Sequence, residues 1–142
     1  MQSPPLARPL AEIDSYHAHI YFDGAAERET AAWIRERIAE RFSVQLGRWH
    51  DALVGPHSRP MYQVAFAVDV FPQLVPWLTI NRQGLSVLVH PNTLSPYDDH
   101  LVHALWLGAA LAINGAILPR RIETHESLID PIRPNTEPSL KP

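Results

Sequence analysis

Tyr16-His17-Ala18-His19-Ile20-Tyr21-Phe22-Asp23 alternates with period two, the repeat of a strand whose successive side chains face opposite sides of a sheet. Ala18, Ile20 and Phe22 form one apolar face, and His17, His19 and Tyr21 the other. At roughly 3.3 Å per residue, the two imidazoles at i and i+2 stand about 6.6 Å apart at the backbone. Both rings can converge on one ion about 2.1 Å from each nitrogen. A half-exposed strand with two solvated imidazoles has the same pattern.

The flanking elements extend this strand into a fold. Asp23 can cap a helix whose first turn holds Glu27 and Glu29, favourable at the positive end of the helix dipole. Ala31, Ile34, Ile38 and Phe42 then recur at spacings of three and four, the stripe of a helix packed on a sheet. Val44 to His50 reads as a second strand and Met61 to Val68 as a third, with Gln63, Ala65 and Ala67 leaving space on the face away from the helix. A second helix is expected from Phe71 to Arg82, stopped by Gly84 and bent or weakened at Pro76. Leu85 to His90 is a fourth strand ended by Pro91. Asp98 or Asp99 then caps a short helix through His100, His103 and Trp106 to Gly108.

The order βαββαβ with right-handed crossovers predicts an α+β, ferredoxin-like fold: an antiparallel sheet of order 4-1-3-2, helices on one face. The other face is left open, and a homodimer across or beside it is expected. Eight of the 14 prolines lie in residues 1–14 and 119–142. The folded unit is therefore expected at 15–118, between two proline-rich arms.

Composition narrows the function. A net charge of −3 gives no basic field for nucleic acid. No stretch approaches the roughly 20 apolar residues of a membrane span, and the first residues lack a signal-peptide pattern. A cytoplasmic protein is the expectation. Without cysteine, any metal must rest on imidazole, carboxylate and water.

If Val87 and Val89 face the helices, His90 faces the open side beside His17 and His19, one strand away at about 4.8 Å. Three neutral nitrogen ligands with positions left open is the pattern of a catalytic metal site. A simple role at the strand end before Pro91 explains His90 equally well. His50 and His57 flank the next connection, and either can serve as general acid or base or replace His90 as the third ligand. Arg59 offers a bidentate grip on a carboxylate, or is a solvated loop charge. Tyr21 and Gln63 are candidate substrate contacts. His100 and His103 are explained by exposure on a helix, and His125 by a solvated tail.

Residues 16–22, Leu46-Gly47-Arg48-Trp49-His50-Asp51, Gly55-Pro56-His57-Ser58-Arg59-Pro60-Met61-Tyr62, Leu88-Val89-His90-Pro91-Asn92-Thr93, and Asp99-His100 with Ala104-Leu105-Trp106-Leu107-Gly108 together resemble the DOPA 4,5-dioxygenase family. The likeness runs from about residue 15 to 115. It implies a compact ferredoxin-like fold that tends to dimerise, and extradiol cleavage of a catechol by dioxygen and non-haem Fe(II), with zinc as a substitute in purified protein. On that resemblance His17, His19 and His90 are the ligands, His57 the acid/base with His50 nearby, and Arg59 an anchor for a substrate carboxylate. No carboxylate is identified on the open face; Asp51 and Asp99 are the two that could approach it. A dimeric binding module without catalysis, and another metal-dependent enzyme on the same scaffold, are the alternatives.

Overall fold

Strand β1, Ser15–Tyr21, lies in the middle of the sheet, and its alternation sorts the molecule into two faces. A computed structural model describes residues 3–122 and 129–142, so His125 lies outside the described residues. After β1 come α1 (Gly24–Arg41), β2 (Gln45–Leu46), β3 (Met61–Ala67), α2 (Phe71–Asn81), β4 (Val87–Asn92), α3 (Pro96–Leu101) and β5 (Leu105–Leu107).

All pairings are antiparallel, in the order β2-β3-β1-β4-β5. The sheet thus differs from the expected four-stranded 4-1-3-2 arrangement by a fifth strand at the β4 side. Leu105–Leu107 pairs with Val87–Val89 instead of continuing a helix to Gly108. Ser95, not Asp98 or Asp99, caps α3 by accepting from the Asp98 N–H, and the helix stops at Leu101. Asp99 turns inward instead.

α1 and α2 cover one face. Ala31, Ile34 and Ile38 of α1 and Leu74 and Leu78 of α2 are fully buried against Ala18, Ile20, Val64, Phe66 and Val87. Apolar burial of this kind is the main driving force for packing the helices on the sheet. The Tyr62 hydroxyl reaches through the layer to donate to the Ala31 carbonyl at 2.8 Å. At the start of α1 the Asp23 side chain makes no cap bond; Glu27 Oε1 instead accepts from the Asp23 N–H at 3.1 Å. Trp33, a core candidate from its helical position, is 40% exposed, with Arg37 over its ring.

Two strands differ from expectation for local reasons. β2 is only two residues long because the chain bends away after Gly47, and His50 rejoins β3 by a single bridge to Met61. Between them Trp49 leaves the ladder to stack on Phe22 and Tyr62. A Cβ at Gly47 would stand 3.3 Å from the Gln63 carbonyl oxygen, so glycine permits the close approach. β4 runs through Pro91 to Asn92. Bonds from Tyr21 N to Ser86 O and from Asp14 N to Asn92 O put the β1-facing groups of β4 at even positions. The donor that Pro91 lacks would therefore point to the other side, past Leu105, where β5 has no residue to pair with it.

The second face carries His17, His19, Tyr21 and Gln63, and it is not open. α3, the 54–57 loop and residues 111–113 lie over it, with Tyr21, Met61 and Leu88 as a small second core. A second copy of the chain is not needed to bury it. Residues 133–140 run beside β2 and the end of α1, bonded to Val44, Leu46 and Glu40.

Candidate metal centre

Pairing in register puts His17 of β1 directly opposite His90 of β4. His19, two residues on, brings its Nε2 within 3.1 Å of His90 Nε2. The strand reading of the sequence therefore brings all three candidate ligands together, and their donor atoms lie within 4.8 Å of one another. His19, His57 and His100 form a second such group. His19 belongs to both, so five imidazoles make one cluster.

Backbone carbonyls fix two of these rings. A carbonyl can only accept, so His90 donates from Nδ1 to Pro91 O at 2.8 Å, and His100 from Nδ1 to Pro96 O at 2.7 Å. Each neutral ring then keeps a lone pair on Nε2, since a carbonyl that holds one ring nitrogen aims the other. His57 Nδ1 lies 2.7 Å from the hydroxyl of Tyr21, whose ring stacks on Trp106.

The cluster is held uncharged. Burial, reinforced by the neighbouring imidazoles, lowers His17 and His57 from 6.5 to about 4 and holds His19 and His90 well below 6.5. Burial likewise lowers His100. Neutral imidazole is the form that binds a metal. In the unfolded chain these rings return to about 6.5, so between 6.5 and about 4 the unfolded state takes up more protons. Stability present at neutral pH is lost as the pH falls through that window. Thermal unfolding of the metal-free protein should move to lower temperature between about pH 7 and about pH 5. An unchanged midpoint over that range would contradict a neutral buried cluster.

One atom tests whether the donor set fits an ion. His19 is 2% exposed, and its buried Nδ1 has no hydrogen-bond partner among the described residues. A native interior rarely leaves such an atom unpaired. An orphaned nitrogen among converging imidazoles fits a site built to take a cation, and an all-nitrogen set suits zinc, iron, copper or nickel.

The other candidates fall elsewhere. His50 is half-buried beside His57, whose pKa it helps to lower, and belongs to neither ligand group. Arg59 is half-buried and forms no hydrogen bond with the described residues. Asp51 cannot complete the site: it is exposed and held by Arg28 at 2.8 and 3.0 Å and by Trp49 Nε1 at 2.9 Å, which draws its pKa down to about 2. Asp99 is buried and accepts from the Thr93 N–H and hydroxyl at 2.9 and 2.6 Å. His103 lies apart with Arg8, beside an apolar cavity of about 420 Å³ under the N-terminal arm. None of the five clustered histidines lines that larger cavity. Beside the cluster itself is a cavity of about 240 Å³ lined by His17, Gln63, Asn92 and Asp99.

His100 is the residue that sequence reasoning missed. Its ring centre is 4.0 Å from that of His90. The available signal was Ser95-Pro96, a cap and first-turn proline so soon after β4 that the helix must fold back over the strand end.

A ferredoxin-like α+β sheet carrying a buried all-histidine cluster is the class that this fold and site define. The profile of the Dopa 4,5-dioxygenase family matches residues 16–117, and the chain belongs to that family. It is 32% identical over 117 residues to a DOPA 4,5-dioxygenase of Amanita muscaria, covering 77% of this chain and 51% of that protein. It is 34% identical over 118 residues to an uncharacterised 21.2 kDa protein of Botryotinia fuckeliana, covering 75% and 64%. The chain thus spans only about half to two thirds of these relatives' length. The crystal structure of a proposed dioxygenase from Nostoc punctiforme, at 1.46 Å resolution, superposes with a TM-score of 0.76 at 53% identity, covering 78% of this chain and 96% of that one. No helix among the described residues is long and apolar enough to cross a membrane.

Proposed function

We propose that the chain is an extradiol ring-cleaving dioxygenase that opens a catechol such as DOPA, with a ferrous ion held by His17, His19 and His90. The convergence of these three side chains, in a chain of this family, carries the reading. A ferrous ion there supplies Lewis acidity toward the catechol oxygens and electron transfer with dioxygen. The protein's part is to hold and to move protons. The Pro91 carbonyl fixes His90, and burial keeps all three rings as lone-pair donors. His57, close to His19 and hydrogen-bonded to Tyr21, is the group placed to take a phenolic proton and return it during ring opening. Gln63 lines the adjoining cavity and can bond the substrate's polar groups.

The Tyr21 hydroxyl acts through His57. Tyr21→Phe should lower metal affinity or turnover by about 10- to 100-fold, the usual cost of losing an outer partner. Unchanged values for both would remove Tyr21 from the site. The second group, His19, His57 and His100, favours a different ligand set. His57→Gln separates the two: loss of turnover with metal retained supports the acid/base role, and loss of metal makes His57 a ligand.

The primary test is anaerobic loading with ferrous iron, followed by oxygen uptake and absorbance with a catechol panel that includes DOPA and protocatechuate. Oxygen consumption with a yellow ring-opened product is expected. Tight metal binding without oxygen consumption on any catechol would overturn the proposal.

A further inference from the structure

The cavity beside His17 has an outer wall that the family match does not reach. Ile129, Asp130, Pro131 and Ile132 line it, and they lie beyond residue 117, where that match ends. The wall is clamped from just downstream. The Arg133 N–H donates to Gln45 Oε1 at 2.9 Å, the Asn135 amide exchanges bonds of 2.8 and 2.9 Å with Leu46, and the Thr136 hydroxyl donates to the Phe42 carbonyl at 2.6 Å.

The charge of this lining is one-sided. Among the described lining residues are two carboxylates, Asp99 and Asp130, and neither lysine nor arginine. Asp99 is taken up by its two bonds from Thr93. Asp130 lines the cavity, is exposed and forms no ion pair among the described residues. Arg59, the expected anchor for a substrate carboxylate, does not line this cavity.

We propose that residues 129–132 form the specificity wall of the pocket, and that Asp130 selects catechols whose side chain ends in an ammonium over those ending in a carboxylate. This rests on the catechol reading above and names the substrate class of the same site. The catecholate offsets the charge of the ferrous ion, so the terminal group decides the difference: near Asp130 a carboxylate meets like charge, while an ammonium gains a partner. Because Asp130 faces water, the effect is modest: roughly two- to fivefold in affinity, the size of an exposed ion pair.

The test is calorimetric binding to protein loaded anaerobically with ferrous ion, so that no turnover is needed. The ligands are dopamine, 4-methylcatechol and 3,4-dihydroxyphenylacetate, which share the ring and differ in terminal charge. Wild type should bind dopamine most tightly and dihydroxyphenylacetate least. Asp130→Asn should bring the three together, Asp130→Lys should reverse their order, and high salt should shrink the wild-type spread. A purely structural role for Asp130 would leave the order intact. Tighter binding of dihydroxyphenylacetate by wild type, an order untouched in both variants, or binding of none of the three would overturn the inference. The expected order without oxygen consumption would instead overturn the dioxygenase reading alone.

Discussion

His19→Ala should strip the protein of its metal and reduce oxygen consumption with any catechol by more than about a hundredfold, since outer-shell losses alone cost about 10- to 100-fold. The magnitude follows from position. His19 is the one residue common to both groups of converging imidazoles, so without it neither group keeps three members. His90 loses the neighbour 3.1 Å from its Nε2, and His57 loses the ring against which it lies. His103→Ala is the matched control: that ring lies with Arg8 and belongs to neither group, and it should keep metal and turnover. Metal content measured beside far-UV circular dichroism separates loss of ligand from loss of fold. Full metal retention in folded His19→Ala would refute the placement of the centre on this strand.

Phe66→Ala should cost about 3–5 kcal/mol of stability, read as a fall in the urea midpoint. Phe66 is fully buried in the helix-facing layer and stacks on Tyr16 at 5.7 Å between ring centres. Its removal deletes a large apolar group and leaves a void that the surrounding strands can close only in part. Such a loss is a large part of the roughly 5–15 kcal/mol that holds a domain of this size together. The histidines lie on the opposite face, so metal affinity of the folded fraction should stay near wild type. A drop below about 1 kcal/mol would mean that the layer repacks far more freely than its burial implies.

How far the sequence discloses this molecule depends on the range of the interaction that decides each feature. β1 was legible because its alternation runs the full strand and separates Ala18 and Ile20 from His17 and His19. The α1 stripe was legible because Ala31, Ile34 and Ile38 all face one layer. His90 followed from the parity of β4 against β1. Shorter signals failed. Three residues, Leu105 to Leu107, carry too little alternation to outweigh the three-residue spacing of His100, His103 and Trp106, which read as helix. Only pairing with β4 shows them to be a strand. His100 escaped for a related reason: its ring reaches His90 because α3 returns over the end of β4, which no local pattern encodes. Arg59 shows the converse, a side chain with apt chemistry that does not line the cavity. The arm beyond residue 129 looked structureless for its prolines, yet Asn135 and Thr136 make with side chains many of the bonds that a regular ladder would make with backbone.

Those bonds bear on how the protein behaves in a crowded solution. A strand at the margin of a sheet offers unpaired N–H and C=O groups on which another chain can build. In β2 and the residue before it, Val44 and Leu46 have those groups occupied by Asn135 and Thr136, from a stretch too rich in proline to recruit a further strand of its own. The C-terminal stretch is thus a built-in stopper against intermolecular sheet growth. Protein shortened before residue 129 should accumulate as aggregate at concentrations where the full chain stays dispersed.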